Sequence, residues 1–168
     1  MKARAIARFA LLTALALILG YLESLIPIFP QAPGIKLGLS NLVLLYAIYR
    51  LNAWQTILLM LLKVSVSGLL FSGFTGAMYG LCGGLLSVSV MLLLHRIPHI
   101  SVVTVSAFGG VCHNIGQMVL ACFLLTPRSV LAYSPILLAA GLALGILLGF
   151  VAKGLLAALD RYERRSHS

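Results

Sequence analysis

The sequence predicts an all-α integral membrane protein, a bundle of six transmembrane helices with both termini in the cytoplasm. Apolar residues make up 61% of the 168 residues and charged residues 9%, against roughly 45–50% and about 25% in soluble globular domains. The apolar residues form runs close to the roughly 20 residues that cross a bilayer. We expect these runs to pack as a single membrane domain over residues 1–168.

Proline, glycine and charged residues interrupt the apolar runs and divide the chain into helices. Lys2, Arg4 and Arg8 precede a first run that is longer than the core of a cleavable signal peptide, so we expect this helix to be retained. The second run is short and is expected to cross obliquely or to begin below the outer surface. The expected helices cover residues of about 5–26, 36–51, 53–72, 74–95, 101–126 and 134–159.

The segment between the first two helices, residues 27–35, is rich in proline. Pro27, Pro30 and Pro33 lack a backbone N–H and push the preceding residue away from the helical conformation, which excludes a regular helix. Irregular backbone near membrane depth is tolerated only where protein buries it or water reaches it. We therefore expect an outward-facing loop that covers a binding site.

Positive charge sets the expected orientation. With the N-terminus in the cytoplasm, eight basic residues fall at the inner ends of the helices, and two, Lys36 and Arg128, fall at the outer ends. Such an excess on the cytoplasmic side is the usual bias of membrane proteins. The net charge of +9 then reflects topology and attraction to anionic lipid, and it requires no nucleic-acid partner.

Few ionisable side chains lie within the expected helices, and each is a candidate functional group because a charge inside a membrane is costly. Glu23 lies near the outer end of the first helix and Lys63 near the middle of the third. The two could form an ion pair between these helices. Alternatively, Lys63 and Lys36 could meet an anionic group of a substrate while Glu23 orients one of them. Asn41, which follows the proline-rich segment, is a further candidate.

Two helices are expected to present a polar inner face. In the fifth, His113, Asn114 and Gln117 are close enough in sequence to share one face, and in the third, Ser67 follows Lys63 by one turn. The stripe of the fifth helix could serve hydrogen bonding between helices or contact a ligand. A single histidine without an acidic neighbour predicts neither a metal site nor a catalytic base.

The remaining composition predicts packing rather than chemistry. The three cysteines form no CxxC pair, so we expect no disulfide, no zinc site and no cofactor. Glycines recur in the fourth and sixth helices, which is typical of helices that approach closely in lipid. Tyr79 and Tyr133 lie near expected helix ends, where aromatic residues form belts at the membrane surface. Tyr46 and Tyr79 could instead line a cavity.

Three segments resemble a known family. These are Pro-Gly-Ile-Lys-Leu-Gly-Leu-Ser-Asn-Leu-Val at residues 33–43, Phe-Ser-Gly at 71–73 and Gly-Gly-Val-Cys-His-Asn-Ile-Gly-Gln at 109–117. They look like the bacterial membrane family labelled Gx transporter or heptaprenyl diphosphate synthase component I. That family is similar in turn to the substrate-binding S components of energy-coupling factor (ECF) transporters, which have six helices.

The resemblance implies a place in the bacterial cytoplasmic membrane and a small-molecule ligand near the outer face. It also implies that small residues of the first helix, here Ala10 and Ala14, dock onto a coupling subunit driven by ATPases. The spacing of these two alanines is by itself weak evidence, because it is frequent in apolar helices.

Two functions remain open on the sequence. The first is an S-component-like subunit that takes up a small anionic or amphipathic metabolite, related to isoprenoids, quinones or vitamins. The second is a non-catalytic membrane subunit of a heptaprenyl diphosphate synthase or of a quinone- or flavin-linked redox assembly. Prenyl diphosphate synthases hold magnesium and diphosphate with Asp-rich motifs, and this chain has one aspartate, Asp160. We therefore do not expect it to be an enzyme.

Overall fold

The computed structural model describes residues 3–25, 38–124 and 127–166, and these residues form helices and short connections without a strand. The all-α class is confirmed. A π-helical turn, Gly68–Ser72, joins the third and fourth α-helices. The α-helices are α1 (Ala3–Leu25), α2 (Leu39–Arg50), α3 (Ala53–Ser67), α4 (Gly73–His95), α5 (Val102–Leu124) and α6 (Pro127–Ser166).

Several of these helices can cross a membrane. Within the described ranges, four continuous helical stretches are long and apolar enough: Ala5–Leu25, Ala53–His95, Val102–Leu124 and Val130–Arg165. The chain is therefore a multi-pass membrane protein. Helix α2 has 12 residues, fewer than the roughly 20 that span a bilayer. The finer prediction of six crossings with both termini in the cytoplasm does not follow from these helices alone.

The 43-residue stretch Ala53–His95 folds back on itself. Gly84 lies against Met60 and Gly80 against Val64, so α3 and α4 run antiparallel, side by side. The chain reverses at Gly73, whose φ of 67° lies in a region that favours glycine. The sequence placed a helix break at this point, between residues 72 and 74.

Helix α6 is longer than the sequence predicted. It begins at Pro127 rather than near residue 134 and ends at Ser166. Proline is tolerated in the first turn of a helix, because the N–H groups of that turn have no carbonyl partner within the helix. Pro135, inside the helix, cannot bond the carbonyl of Leu131. The hydroxyl of Ser134 donates to that carbonyl instead, at 2.8 Å, which lets the helix continue through the proline.

Glycines bring α5 and α6 together along a line that we call the α5–α6 seam, formed by Gly141, Gly145 and Gly149 of α6 and the α5 residues they touch. A Cβ added at Gly145 would lie 2.7 Å from the carbonyl oxygen of Ser106, and one at Gly149 would lie 2.7 Å from Cα of Val103. The backbones thus approach as closely as glycine allows. The predicted close packing of α6 is confirmed along this seam.

The bundle has two different ends. The end with the α2–α3 and α4–α5 connections is here called the basic end, because Arg50, Arg96 and Arg161 lie there. At this end Arg50 of α2 pairs with Asp160 and with Glu163 of α6, the latter at 3.3 Å. The fully buried core side chains lie toward the basic end or near the middle of the bundle; the largest are Leu59, Met60, Val88, Val105 and Thr56.

Candidate functional site

The half of the bundle away from the basic end encloses a cavity of about 680 Å³, lined by residues of all six α-helices. Small-molecule sites typically have volumes of roughly 300–1,000 Å³, with apolar walls and a few polar groups. Glycines form much of the wall, and at all of them but Gly20 an added Cβ would lie 3.0 Å or less from an atom of another residue. They are Gly20, Gly38, Gly68, Gly76, Gly80, Gly84, Gly110, Gly141 and Gly145.

Lys63 and Asn41 meet in this wall. The Nζ atom of Lys63, in the middle of α3, donates to Oδ1 of Asn41, in the first turn of α2, at 2.7 Å. Both residues line the cavity. The structure therefore brings together two of the residues that the sequence predicted for ligand binding, and their contact with a ligand stays a prediction.

Glu23 holds the start of α2. Its side chain is buried, with 7% of the residue exposed. Its carboxylate accepts the backbone N–H of Gly38 and the hydroxyl of Ser40, the latter at 3.5 Å. Gly38 precedes α2 with a φ of 75°, and a negative charge at a helix N-terminus is favoured by the unpaired N–H groups there. Glu23 and Lys63 thus hold the same turn of α2 from two sides, through neighbouring residues.

The predicted covering loop, residues 27–35, and Lys36 lie outside the described residues. So does the expected beginning of the second helix at residue 36; the described part of that helix starts at Leu39. The proposed roles of the loop and of Lys36 stay predictions.

His113 and Gln117 form a second polar group on α5. Their Nε2 atoms lie 3.2 Å apart, one turn from each other on the same helix, and both residues line the cavity. They pack over Gly83 of α4, where an added Cβ would lie 2.7 Å from the His113 carbonyl oxygen and 3.0 Å from Cγ of Gln117. Gly83 is therefore needed for α4 to approach this pair.

Asn114 has a different role from its two neighbours in the polar stripe. Its side chain is buried, and Nδ2 donates to the backbone carbonyl of Leu137 in α6 at 2.6 Å. The amide lies against Gly141, where a Cβ would collide with it. The sequence left two roles open for His113, Asn114 and Gln117: hydrogen bonding between helices or contact with a ligand. Asn114 makes a hydrogen bond between helices. His113 and Gln117 remain candidates for ligand contact, and Asn114 itself also lines the cavity.

Many cavity residues were absent from the predicted site, among them residues that carry hydroxyl groups. Ser67, Tyr79 and Tyr133 all line the cavity. An aromatic belt was expected for the two tyrosines, with cavity lining as the alternative for Tyr79. Among the described residues, three hydroxyl oxygens are buried without a hydrogen-bond partner: those of Ser67 and Tyr133 in the cavity wall and that of Tyr49 outside it. Because Ser67 follows Lys63 by one turn of α3, its spacing could have placed it in the predicted site. Tyr133 was expected near a helix end because the start of α6 was placed too late, at about residue 134 rather than at Pro127.

The chain matches the family model described as heptaprenyl diphosphate synthase component I over residues 12–155. It belongs to this family. No curated protein and no solved structure gives a significant match. The comparisons thus confirm the family label, and they show no similarity to ECF S components. The description names one component of a synthase, so the chain is a component with partner subunits and not by itself an enzyme, as predicted.

The acidic residues of this component I protein are placed unlike those of a magnesium–diphosphate site. Asp160 and Glu163 are paired with Arg50 at the basic end, and Glu23 is the one carboxylate among the residues that line the cavity. No group of three His, Cys, Asp or Glu side chains suited to a metal occurs in the described parts of the chain. A hard cation in such a site is held by several carboxylates, and the described lining of the cavity has Glu23 alone.

The predicted docking residues lie on the outside of the bundle. Ala10 and Ala14 are exposed on α1, beside the exposed side chains of Leu11, Leu15 and Ile18. A small-residue face of this kind lets another helix approach closely in lipid. Which helix, if any, docks there stays a prediction.

Proposed function

We propose that this component I protein is a non-catalytic membrane subunit that binds a small amphipathic molecule in the cavity between its helices. The observation that carries the proposal is the pairing of the Lys63 ammonium with Asn41 in the wall of a 680 Å³ cavity. A cationic group kept inside a membrane protein marks a functional site by default, because burial of the charge is otherwise costly. Its counterpart is an anionic or strongly polar ligand group, and the apolar walls accommodate the ligand body.

The membrane arrangement that we propose has six crossings, with both termini and the basic end in the cytoplasm. The fold-back of α3 on α4 gives two crossings in the stretch Ala53–His95, and α2 completes the count as a short oblique crossing. The excess of Lys and Arg at one end of the bundle supports this orientation. The cavity then lies in the outer half, where a ligand from outside the cell would enter.

The preferred role of such a subunit is uptake, as an S-component-like partner of a coupling subunit and ATPases that dock on α1 at Ala10 and Ala14. The chain contains no GxxxxGK[ST] motif, so ATP-driven transport requires partners. The exposed small-residue face of α1 supports docking. Co-purification of an ATPase from membranes, abolished by Ala10→Leu and Ala14→Leu together, is the expected result.

The decisive test is retention of a ligand by the purified protein. Native mass spectrometry of the wild-type protein in detergent should show a bound small molecule. Lys63→Met should reduce its occupancy at least tenfold, because the ligand loses its charged partner. Lys153→Met is the matched control, since Lys153 is exposed on α6 and lies outside the cavity wall. A wild-type protein without any bound molecule, or equal occupancy in Lys63→Met, contradicts the proposal.

The second candidate is a membrane subunit that supports a heptaprenyl diphosphate synthase, and the family match favours it. The chain would then anchor a catalytic subunit that brings its own acidic motifs. A redox assembly linked to quinones or flavins is a further version of this structural role. A stable complex with a prenyl diphosphate synthase subunit, whose product length or rate depends on this chain, would favour this candidate over uptake.

A further inference from the structure

Two walls of the cavity carry separate polar groups. On the α2–α3 wall, Lys63 pairs with Asn41, and Ser67 follows Lys63 by one turn. On the α5–α6 wall, His113 pairs with Gln117. Helix α5 packs chiefly against α4 and α6 rather than against α2 or α3, so the second group lies on a different pair of helices from Lys63.

Tyr133 of α6 lies at the same level along the bundle as Gln117 of the second polar group. The bond from Asn114 to the Leu137 carbonyl fixes the antiparallel pairing of α5 and α6. Gln117 follows Asn114 by three residues, and Tyr133 precedes Leu137 by four, so both lie about one turn farther from the basic end. Each wall thus combines a bonded polar pair with a hydroxyl that has no partner among the described residues, Ser67 on one wall and Tyr133 on the other.

Both of these hydroxyls lack partners. The oxygen atoms of Ser67 and Tyr133 are buried and make no hydrogen bond within residues 3–25, 38–124 and 127–166. A buried polar atom without a partner costs free energy, and such an exception in a folded protein calls for a cause. A ligand that presents polar groups to both walls would supply the missing partners.

From this arrangement we infer that the cavity takes a two-ended ligand. Its apolar body lies between the walls, an anionic group faces Lys63 and Ser67, and a hydrogen-bonding group at the other end faces Tyr133 and Gln117. The inference rests on the proposed function and narrows its ligand class. A prenyl diphosphate has its polar atoms at one end, so it would leave one wall unsatisfied.

A matched pair of rigid acids tests this inference. In 6-hydroxy-2-naphthoate a carboxylate and a hydroxyl lie at opposite ends of an apolar body, and 2-naphthoate lacks the hydroxyl. Calorimetric titration of the detergent-purified protein, stripped of bound molecules, should show at least tenfold tighter binding of the hydroxylated acid. Tyr133→Phe should abolish this preference. Tyr162→Phe should keep it, because Tyr162 lies exposed near the basic end.

Stability separates a binding role from a structural one. Without a ligand, Tyr133→Phe and Ser67→Ala should unfold at or above the wild-type temperature, because neither change removes a hydrogen bond. A lower unfolding temperature of either variant overturns the inference, since the hydroxyl would then serve the fold. Equal binding of the two acids to the wild-type protein, including binding of neither, also overturns it. If the wild-type protein nevertheless retains a native small molecule that depends on Lys63, the proposed function stands and this inference alone fails.

Discussion

Glycine has opposite effects at Gly149, in the α5–α6 seam, and at Gly20, in the wall of the cavity. In the seam, a Cβ added at Gly149 would lie 2.7 Å from the backbone of Val103, so the missing side chain brings two helices together. In the cavity wall, a Cβ added at Gly20 would have Ser67 Oγ as its nearest neighbour, at 3.6 Å, which is an ordinary contact. There the missing side chain keeps space open. The same residue type thus builds both the tight part and the empty part of one membrane bundle.

The largest expected effect comes from filling the seam. Gly149→Ala should destabilise the protein by about 2–3 kcal/mol, because the new methyl group meets backbone that cannot move aside. Gly154→Ala is the matched control on the same helix, since a Cβ there would meet nothing within 4 Å. Equilibrium unfolding in mixed micelles measures both. Equal stability of the two variants would show that the seam is not tight.

The next effect concerns the bond across the seam. Asn114→Ala removes the hydrogen bond to Leu137 and should cost about 1 kcal/mol, the usual range for such bonds between membrane helices. Gln117→Ala should cost less, because Gln117 bonds within its own helix. Unfolding of the two variants under identical conditions makes the comparison. If Gln117→Ala were the more destabilising change, the assignment of Asn114 to packing and Gln117 to the cavity would be wrong.

A smaller effect is expected at the start of α2, where Glu23 accepts the N–H of Gly38. Glu23→Gln keeps an oxygen acceptor for Gly38 but removes the negative charge at the start of α2, which should cost about 0.5–1 kcal/mol. Amide hydrogen exchange in the first turn of α2 should accelerate. Glu163→Gln provides the comparison, because an exposed ion pair contributes about 0–1 kcal/mol and lies at the other end of α2. Unchanged exchange in Glu23→Gln would argue against Glu23 as the anchor of α2.

The smallest effect on stability is expected for Gly20→Ala. The methyl group fits, and alanine favours a helix over glycine by up to about 1 kcal/mol, so the unfolding free energy should stay equal or rise. The cavity narrows next to Ser67, so ligand occupancy should fall while stability does not. If Gly20→Ala destabilised the protein as much as Gly149→Ala, the contrast between seam and cavity would fail.

The sequence predicted most helices because apolar runs and their breaks follow directly from bilayer thickness and backbone chemistry. It missed the start of α6, because the Ser134 hydroxyl compensates for Pro135 and this bond becomes visible only in the folded helix. It predicted Lys63 and His113 for the cavity because ionisable groups in a membrane are rarely passive.

Other parts of the site depend on tertiary structure. Asn114 differs from Gln117 because Gly141 of another helix lies beside it, which no spacing within α5 reveals. Tyr133 faces the cavity because of the rotation and the early start of α6. The rotation of a helix about its own axis is set by packing against other helices. A hydrophobic run without a polar face therefore does not predict which of its residues face the cavity.

Helix α2 connects the cavity to the basic end of the bundle. Its 12 residues extend about 18 Å. One end carries Asn41, bonded to Lys63, and the other carries Arg50, bonded to Asp160 and Glu163. Residues of this one helix thus contact both the cavity and α6 at the basic end.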